Sequence, residues 1–186
     1  MFRSRAALLT LAALLPACAG HDHAHHDAQH QHLAHEQAAA AADAGFAKLV
    51  ALQGEWVDAT GQMAPPDVVL VTYRVTGGGS AVVETLFPGA PEEMVTVYHR
   101  DGHDIVLTHY CAAGNQPRMR CRRPGPAELA FDFDGGANID PARDMHMHSA
   151  RMAFTGPDEI TGEWRGWEGG QEDPGHRVVF HMKRKG

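Results

Sequence analysis

MVTVYHRDGHDIVLTHYC, residues 94–111, decides the fold. Two runs rich in β-branched and aromatic residues, 94–100 and 104–111, flank the dipeptide Asp101-Gly102. Asp-Gly between such runs signals a β-hairpin, because glycine reaches the positive φ that a tight turn demands. Side chains alternate across a strand, so Ile105, Leu107, His109 and Cys111 share one face against Asp104, Val106, Thr108 and Tyr110. The same texture continues outward. Upstream lie VVLVTYRV (68–75), the turn Gly77-Gly78-Gly79 and SAVVETLF (80–87); downstream lie a looser segment through Pro117 to Cys121 and then ELAFDFD (128–134). After the Gly135-Gly136 turn region come MHMHSARMAF (145–154), EITGEWRGW (159–167) and HRVVFHM (176–182). Closely spaced strands with hairpin turns and no helices between them make an all-β chain, and connections this short make it an antiparallel up-and-down meander barrel. Counting a segment that starts at Trp56, it has nine or ten strands. A short helix precedes them: Asp43 is placed to cap it, Phe46, Leu49 and Val50 share one face, and Gly54 stops it.

The N-terminus has a different character. Arg3 and Arg5 precede an apolar run, Ala6 to Leu15, and small residues follow, which is the pattern of a secretory signal. The run is too short to span a bilayer as a helix, which needs ~20 apolar residues. Leu15-Pro16-Ala17-Cys18 matches a bacterial lipobox, with Cys18 lipidated; Ala17-Cys18-Ala19 also matches an ordinary A-x-A cleavage site. Both readings export the chain, either as a periplasmic or outer-membrane-anchored lipoprotein or as a soluble secreted protein. Residues 1–17 are thus expected to be the signal, 18–42 a disordered His-rich tether with almost no large apolar residue to bury, and 43–186 one barrel domain. The alanine run Ala38 to Ala42 offers a way to extend the helix backwards. A formal net charge of -7 argues against a nucleic-acid partner.

Between helix and barrel stands Gly54-Glu55-Trp56, and the chain closes with His181-Met182-Lys183-Arg184. This arrangement resembles the calycin group of lipocalins and fatty-acid-binding proteins. The resemblance covers roughly residues 45 to 185. It implies that Trp56 plugs the barrel bottom with Arg184 across its ring, and that the lumen holds a small, mostly apolar molecule. The chain is also similar to bacterial secreted lipocalin-like proteins with a Thr108 to Cys111 and Gly114 to Met119 segment like the one here; that likeness implies a fold and no activity.

Several residues carry candidate chemistry. The tail packs seven of fourteen histidines, His21, His23, His25, His26, His30, His32 and His35, into one run that could gather zinc or copper without a fold. In the barrel, His109 shares the apolar face of its strand, and His146 and His148 share one with Ala150, Met152 and Phe154. Facing the lumen, His109 and His148 would be polar points in an oily cavity, joined by Tyr73 and Glu84, while Asn115 and Arg118 would form a polar lip at its mouth. An alternative sets His109, His146 and His148 as a barrel metal site in a periplasmic metal-handling protein. Cys111 and Cys121, exported to an oxidising compartment, read as a hairpin disulfide. Asp132, Asp134, Asp140 and Asp144 lack the order of a calcium loop and read as hairpin turn material. Trp164 and Trp167 read as wall residues of a late strand. No nucleophile, base and orienting partner can be assembled into a catalytic set.

Overall fold

A computed structural model describes the backbone of residues 21–186, with side chains for Asp27 and from Gln29 onward. The signal region, Cys18 included, lies outside the described residues, as do the side chains of His21, His23, His25 and His26. The chain divides into two units, residues 1–34 and 35–186. In the first, residues 21–34 are helical, and the described side chains, His30 and His32 among them, are exposed. No helix among the described residues is long and apolar enough to cross a membrane.

The second unit contains ten strands that close into one antiparallel barrel. They are β1 (Gly54–Asp58), β2 (Val69–Thr76), β3 (Ala81–Leu86), β4 (Met94–Asp101), β5 (Asp104–Tyr110), β6 (Gln116–Cys121), β7 (Glu128–Ala137), β8 (His146–Gly156), β9 (Glu159–Glu168) and β10 (Gln171–Arg184). Each pairs with its neighbours in sequence, and β1 pairs with β10 to close the ring. Alternation is clean where the sequence alternates: β3 buries Val82, Glu84 and Leu86 and leaves Ala81, Val83 and Thr85 half-buried.

Two stretches depart from the expected boundaries. The segment around Pro117 is strand β6, and proline is tolerated there because it stands near the strand start, at a register shift against β7. Gly135 and Gly136 are not a turn: both lie in β7 at positive φ, where a Cβ on Gly136 would come within 2.6 Å of the Gln116 carbonyl oxygen. Glycine lets β7 pass β6 at that distance. The β7–β8 turn lies further on, where Asp144 accepts from the Asp140 backbone N–H at 2.7 Å.

The helix, α1 (His21–Ala51), also starts earlier than Asp43. Asp43 therefore sits in mid-helix and pairs with Arg100 of β4 instead of capping. Burial begins only near the barrel: residues 29–37 of the helix are exposed, whereas Ala42 is covered, followed by Phe46 and Leu49 on the same face. Gly45 sits where a Cβ would come within 2.8 Å of Pro124 and about as close to Ile105 and Leu129, so a larger residue would lift the helix off the barrel end. At this end Trp56 is fully buried and its Nε1 donates to the Leu52 carbonyl at 2.8 Å. The Arg184 guanidinium lies over its ring, 4.6 Å from the centroid, and donates to the carbonyls of Ala51 and Gln53. One cation thus covers the tryptophan face and satisfies the open carbonyls at the helix C-terminus.

Candidate functional site

The register of β2 to β5 assembles the site. Tyr73 stands opposite Glu84, Glu84 opposite Thr96, and Thr96 opposite His109. Directly opposed residues share a sheet face, so these four form one polar rung across four strands. All four are buried. Tyr98, two residues beyond Thr96 on the same face, adds a fifth group: its hydroxyl donates to Glu84 Oε2 at 2.9 Å. Thr96 Oγ1 and His109 Nδ1 are hydrogen-bonded at 2.9 Å, and the His109 ring packs against Trp164 with centroids 4.8 Å apart.

Burial sets the charge states. Desolvation raises the Glu84 carboxyl above its ordinary range, outweighing the hydroxyls of Tyr73, Tyr98 and Thr96 that favour its charged form. Desolvation also lowers His109 to about 4, so this imidazole is neutral at pH 7. Tyr73 and Tyr98 are pushed well above their usual value, first by burial and then by the acid beside them. Glu84 Oε1 has no hydrogen-bond partner in the structure.

Two spaces adjoin the rung. An inner cavity of about 10 Å³ touches Tyr73, Glu84, Tyr98 and Phe131 and holds no more than about one water. A second chamber of about 90 Å³ is lined by Leu86, Phe87, Met94, Met147, Val178 and Phe180, with His109 as its one ionisable group and Trp164 on its wall. Leu86, Trp164 and Phe180 border both. The chamber's wall is apolar with one directional group of the rung, His109, on it, while Tyr73 and Glu84 line the inner cavity.

The other expected site residues lie elsewhere. His148 is not a lumen residue. The β8–β9 register shifts between Met147 and Ser149, which puts His148 in a bulge and turns Met147 into the chamber in its place. His148 is instead stacked on Trp167, 3.8 Å between centroids, with Phe133 on its other face at 4.7 Å. His146 Nδ1 donates to the Asp144 carbonyl at 2.8 Å, and that fixes its Nε2 as acceptor for His148 Nδ1–H at 3.0 Å. This pair sits where the β7–β8 ladder, which runs from Glu128↔Ala153 to Asp132↔Ser149, has ended. His109 and the His146–His148 pair therefore pack against tryptophans on opposite faces of β9, and the structure does not bring the three together. Among the described residues no three His, Cys, Asp or Glu side chains are grouped to hold a metal ion.

Asn115 and Arg118 form no lip. Asn115 is buried, and its Nδ2 donates to the Met145 carbonyl at 2.7 Å, tying the β5–β6 turn to the start of β8. Arg118 points outward, since Pro117, Met119 and Cys121 take the buried face of β6, and it donates to the Asp134 carbonyl at 2.8 Å. Cys111 and Cys121 are both free thiols. Cys121 pairs with Ile105, and Cys111 lies six residues along from Ile105, about 20 Å away in an extended strand. A disulfide needs Cα atoms within about 7 Å. From the tail, His35 is engaged with the barrel, with His103 Nε2 2.8 Å from its Nδ1.

Thr96 and Tyr98 were missing from the residues singled out in the sequence, and a signal for the first was present. Gly102 and His103 are the two residues of the β4–β5 turn, with Asp101 opposite Asp104. Counting back from that turn places Thr96 against His109, whereas the Asp101-Gly102 turn expected from the sequence would set it against Leu107. Neither protein-family models nor curated protein sequences give a match to this chain.

Proposed function

We propose that the protein is a binding protein of the calycin type for a small, mostly apolar molecule, working outside the cytoplasm and held to a membrane where Cys18 carries a lipid. The observation that supports this reading is the apolar chamber with His109 on its wall, which shares Leu86, Trp164 and Phe180 with the inner cavity that Tyr73 and Glu84 line. An apolar wall supplies affinity through burial, and a few fixed polar groups set orientation. The chamber's size favours a body of roughly six to eight non-hydrogen atoms, well below the usual drug-sized ligand. Export rests on the basic and apolar N-terminal pattern together with the lipobox.

The test is titration of the whole secreted chain with short apolar molecules, read by fluorescence. Trp164 borders both spaces, so occupation should change its emission saturably. Met147→Trp, which fills the chamber, should abolish the response. No saturable change in the wild-type protein, or an equal change in Met147→Trp, would overturn the reading.

A further inference from the structure

Resting on the reading of the lumen as a ligand site, we infer that its ligand is a small apolar amine whose nitrogen is received by Glu84 Oε1. Glu84 is a carboxyl group 2% exposed; the Tyr98 hydroxyl donates to Oε2, the hydroxyls of Tyr73 and Thr96 also lie close enough to favour its charged form, and Oε1 has no hydrogen-bond partner. Unpartnered buried polar atoms are rare because each costs the desolvation of that atom without return. Glu84 lines the inner cavity together with Tyr73 and Tyr98.

The surroundings then select the ligand's polar end. Of the residues around the two spaces, Arg151 alone is a permanent cation, and its guanidinium is ion-paired with Glu128 at the exposed surface. His109 is the other basic group, and its Nδ1 is occupied by Thr96. A carboxylate ligand would put a second acid beside the first in a medium of low dielectric, with no cation to divide them. An alcohol would make one neutral hydrogen bond. An amine supplies the missing counter-charge and up to three N–H donors, and charge-assisted bonds are about twice as strong as neutral ones.

Protons balance by each route. A carboxylate receives an ammonium directly; a carboxyl still holding its proton passes it to an entering free amine, or releases it to solvent as an ammonium enters. All end in the same carboxylate–ammonium pair, with the Tyr98 hydroxyl still donating to Oε2. The apolar remainder lies in the chamber between Met94, Met147 and Val178.

Hexylamine, 1-hexanol and hexanoate separate the possibilities because they share one chain and differ at the head. Each is titrated at neutral pH into the full secreted chain and into Glu84→Gln, with tryptophan fluorescence as readout. The amine should bind wild type roughly tenfold tighter than the alcohol, the usual gain of a charge-assisted over a neutral hydrogen bond, and hexanoate weakest. Glu84→Gln should bring amine and alcohol together. Equal or tighter binding of hexanol or hexanoate to wild type overturns the amine assignment while leaving the lumen a ligand site. An amine preference that survives Glu84→Gln overturns the role of Glu84. Failure of all three to bind wild type overturns the ligand reading itself. Infrared difference spectra of the wild type settle the matter where Glu84→Gln does not fold. Hexylamine should shift the Glu84 carboxyl or carboxylate bands and hexanol should leave them in place; bands unchanged by saturating hexylamine refute the inference.

Discussion

His109 on Trp164 and His148 on Trp167 are the same two residue types in contact, anchored three residues apart on one strand, yet they belong to different environments. The first pair faces the lumen, where Trp164 is 7% exposed and His109 2%. The second lies on the other face of β9, where both rings are half-buried beside a groove lined by Asp132, Arg165 and Glu172. An odd separation along a strand reverses the face, and the bulge at His148 adds a second reversal on β8. Chemistry alone would assign both histidines one role; backbone register separates them into a ligand-side group and a wall group.

The largest expected consequence is for stability. Trp164→Ala should cost ~3–5 kcal/mol, as for other large core truncations, and Trp167→Ala about half as much or less. Urea denaturation of the two variants measures this; equal losses would erase the distinction between the two faces. Next comes pH. His109 is depressed from 6.5 to about 4, so between those values the unfolded chain takes a proton that the folded chain refuses. Its contribution is complete above about pH 6.5 and is lost as pH falls toward 4, roughly 3 kcal/mol in all. Glu84, raised by burial, runs the other way: its contribution is present below the ordinary carboxyl range and lost as pH rises through the raised value. The difference in stability between wild type and His109→Gln, followed from pH 7.5 to 4.5, isolates the histidine and should shrink as pH falls.

A smaller effect separates the histidines in binding. His109→Ala should weaken binding of an apolar amine by roughly tenfold, through lost packing at Trp164 and a freed Thr96 hydroxyl, while His148→Ala should leave it within about twofold. Matching losses would mean that the bulge does not exclude His148 from the lumen. The smallest effect concerns Cys111 and Cys121. With these thiols about 20 Å apart, a reductant should leave the melting temperature unchanged. A fall in Tm would show a covalent link that the strand pairing forbids.

The barrel was legible because its signals are local. Asp101-Gly102, the glycine run at 77–79 and the alternating segments each specify a hairpin without reference to the rest of the chain. Tyr73, Glu84 and His109 were legible as residue types on apolar strands, but their meeting depends on three successive registers. Faces read from strict alternation hold for β5, where Ile105, Leu107 and His109 are all buried, and fail for β8, where one extra residue enters the ladder. The disulfide failed for a related reason: closeness in sequence across a hairpin is not closeness in space once pairing puts Cys121 beside Ile105. The close packing of Gly45 against Pro124, Ile105 and Leu129 was likewise beyond local reading, because those residues lie far along the chain.

The pairing of Trp56 with Arg184 also bears on how the chain reaches this state. Nine of the ten ladders join strands adjacent in sequence and can form as local hairpins; the tenth must bring together the two ends of the domain. Closing so long a loop costs entropy before the contact returns anything, so the β1–β10 ladder is the costliest of the ten to start. The same adjacency of first and last strands makes the barrel a circle that is cut once. Joining Arg184 back toward β1 by a short linker and reopening the chain at the Gly77-Gly78-Gly79 turn would turn that contact into a hairpin and leave every strand its present neighbours.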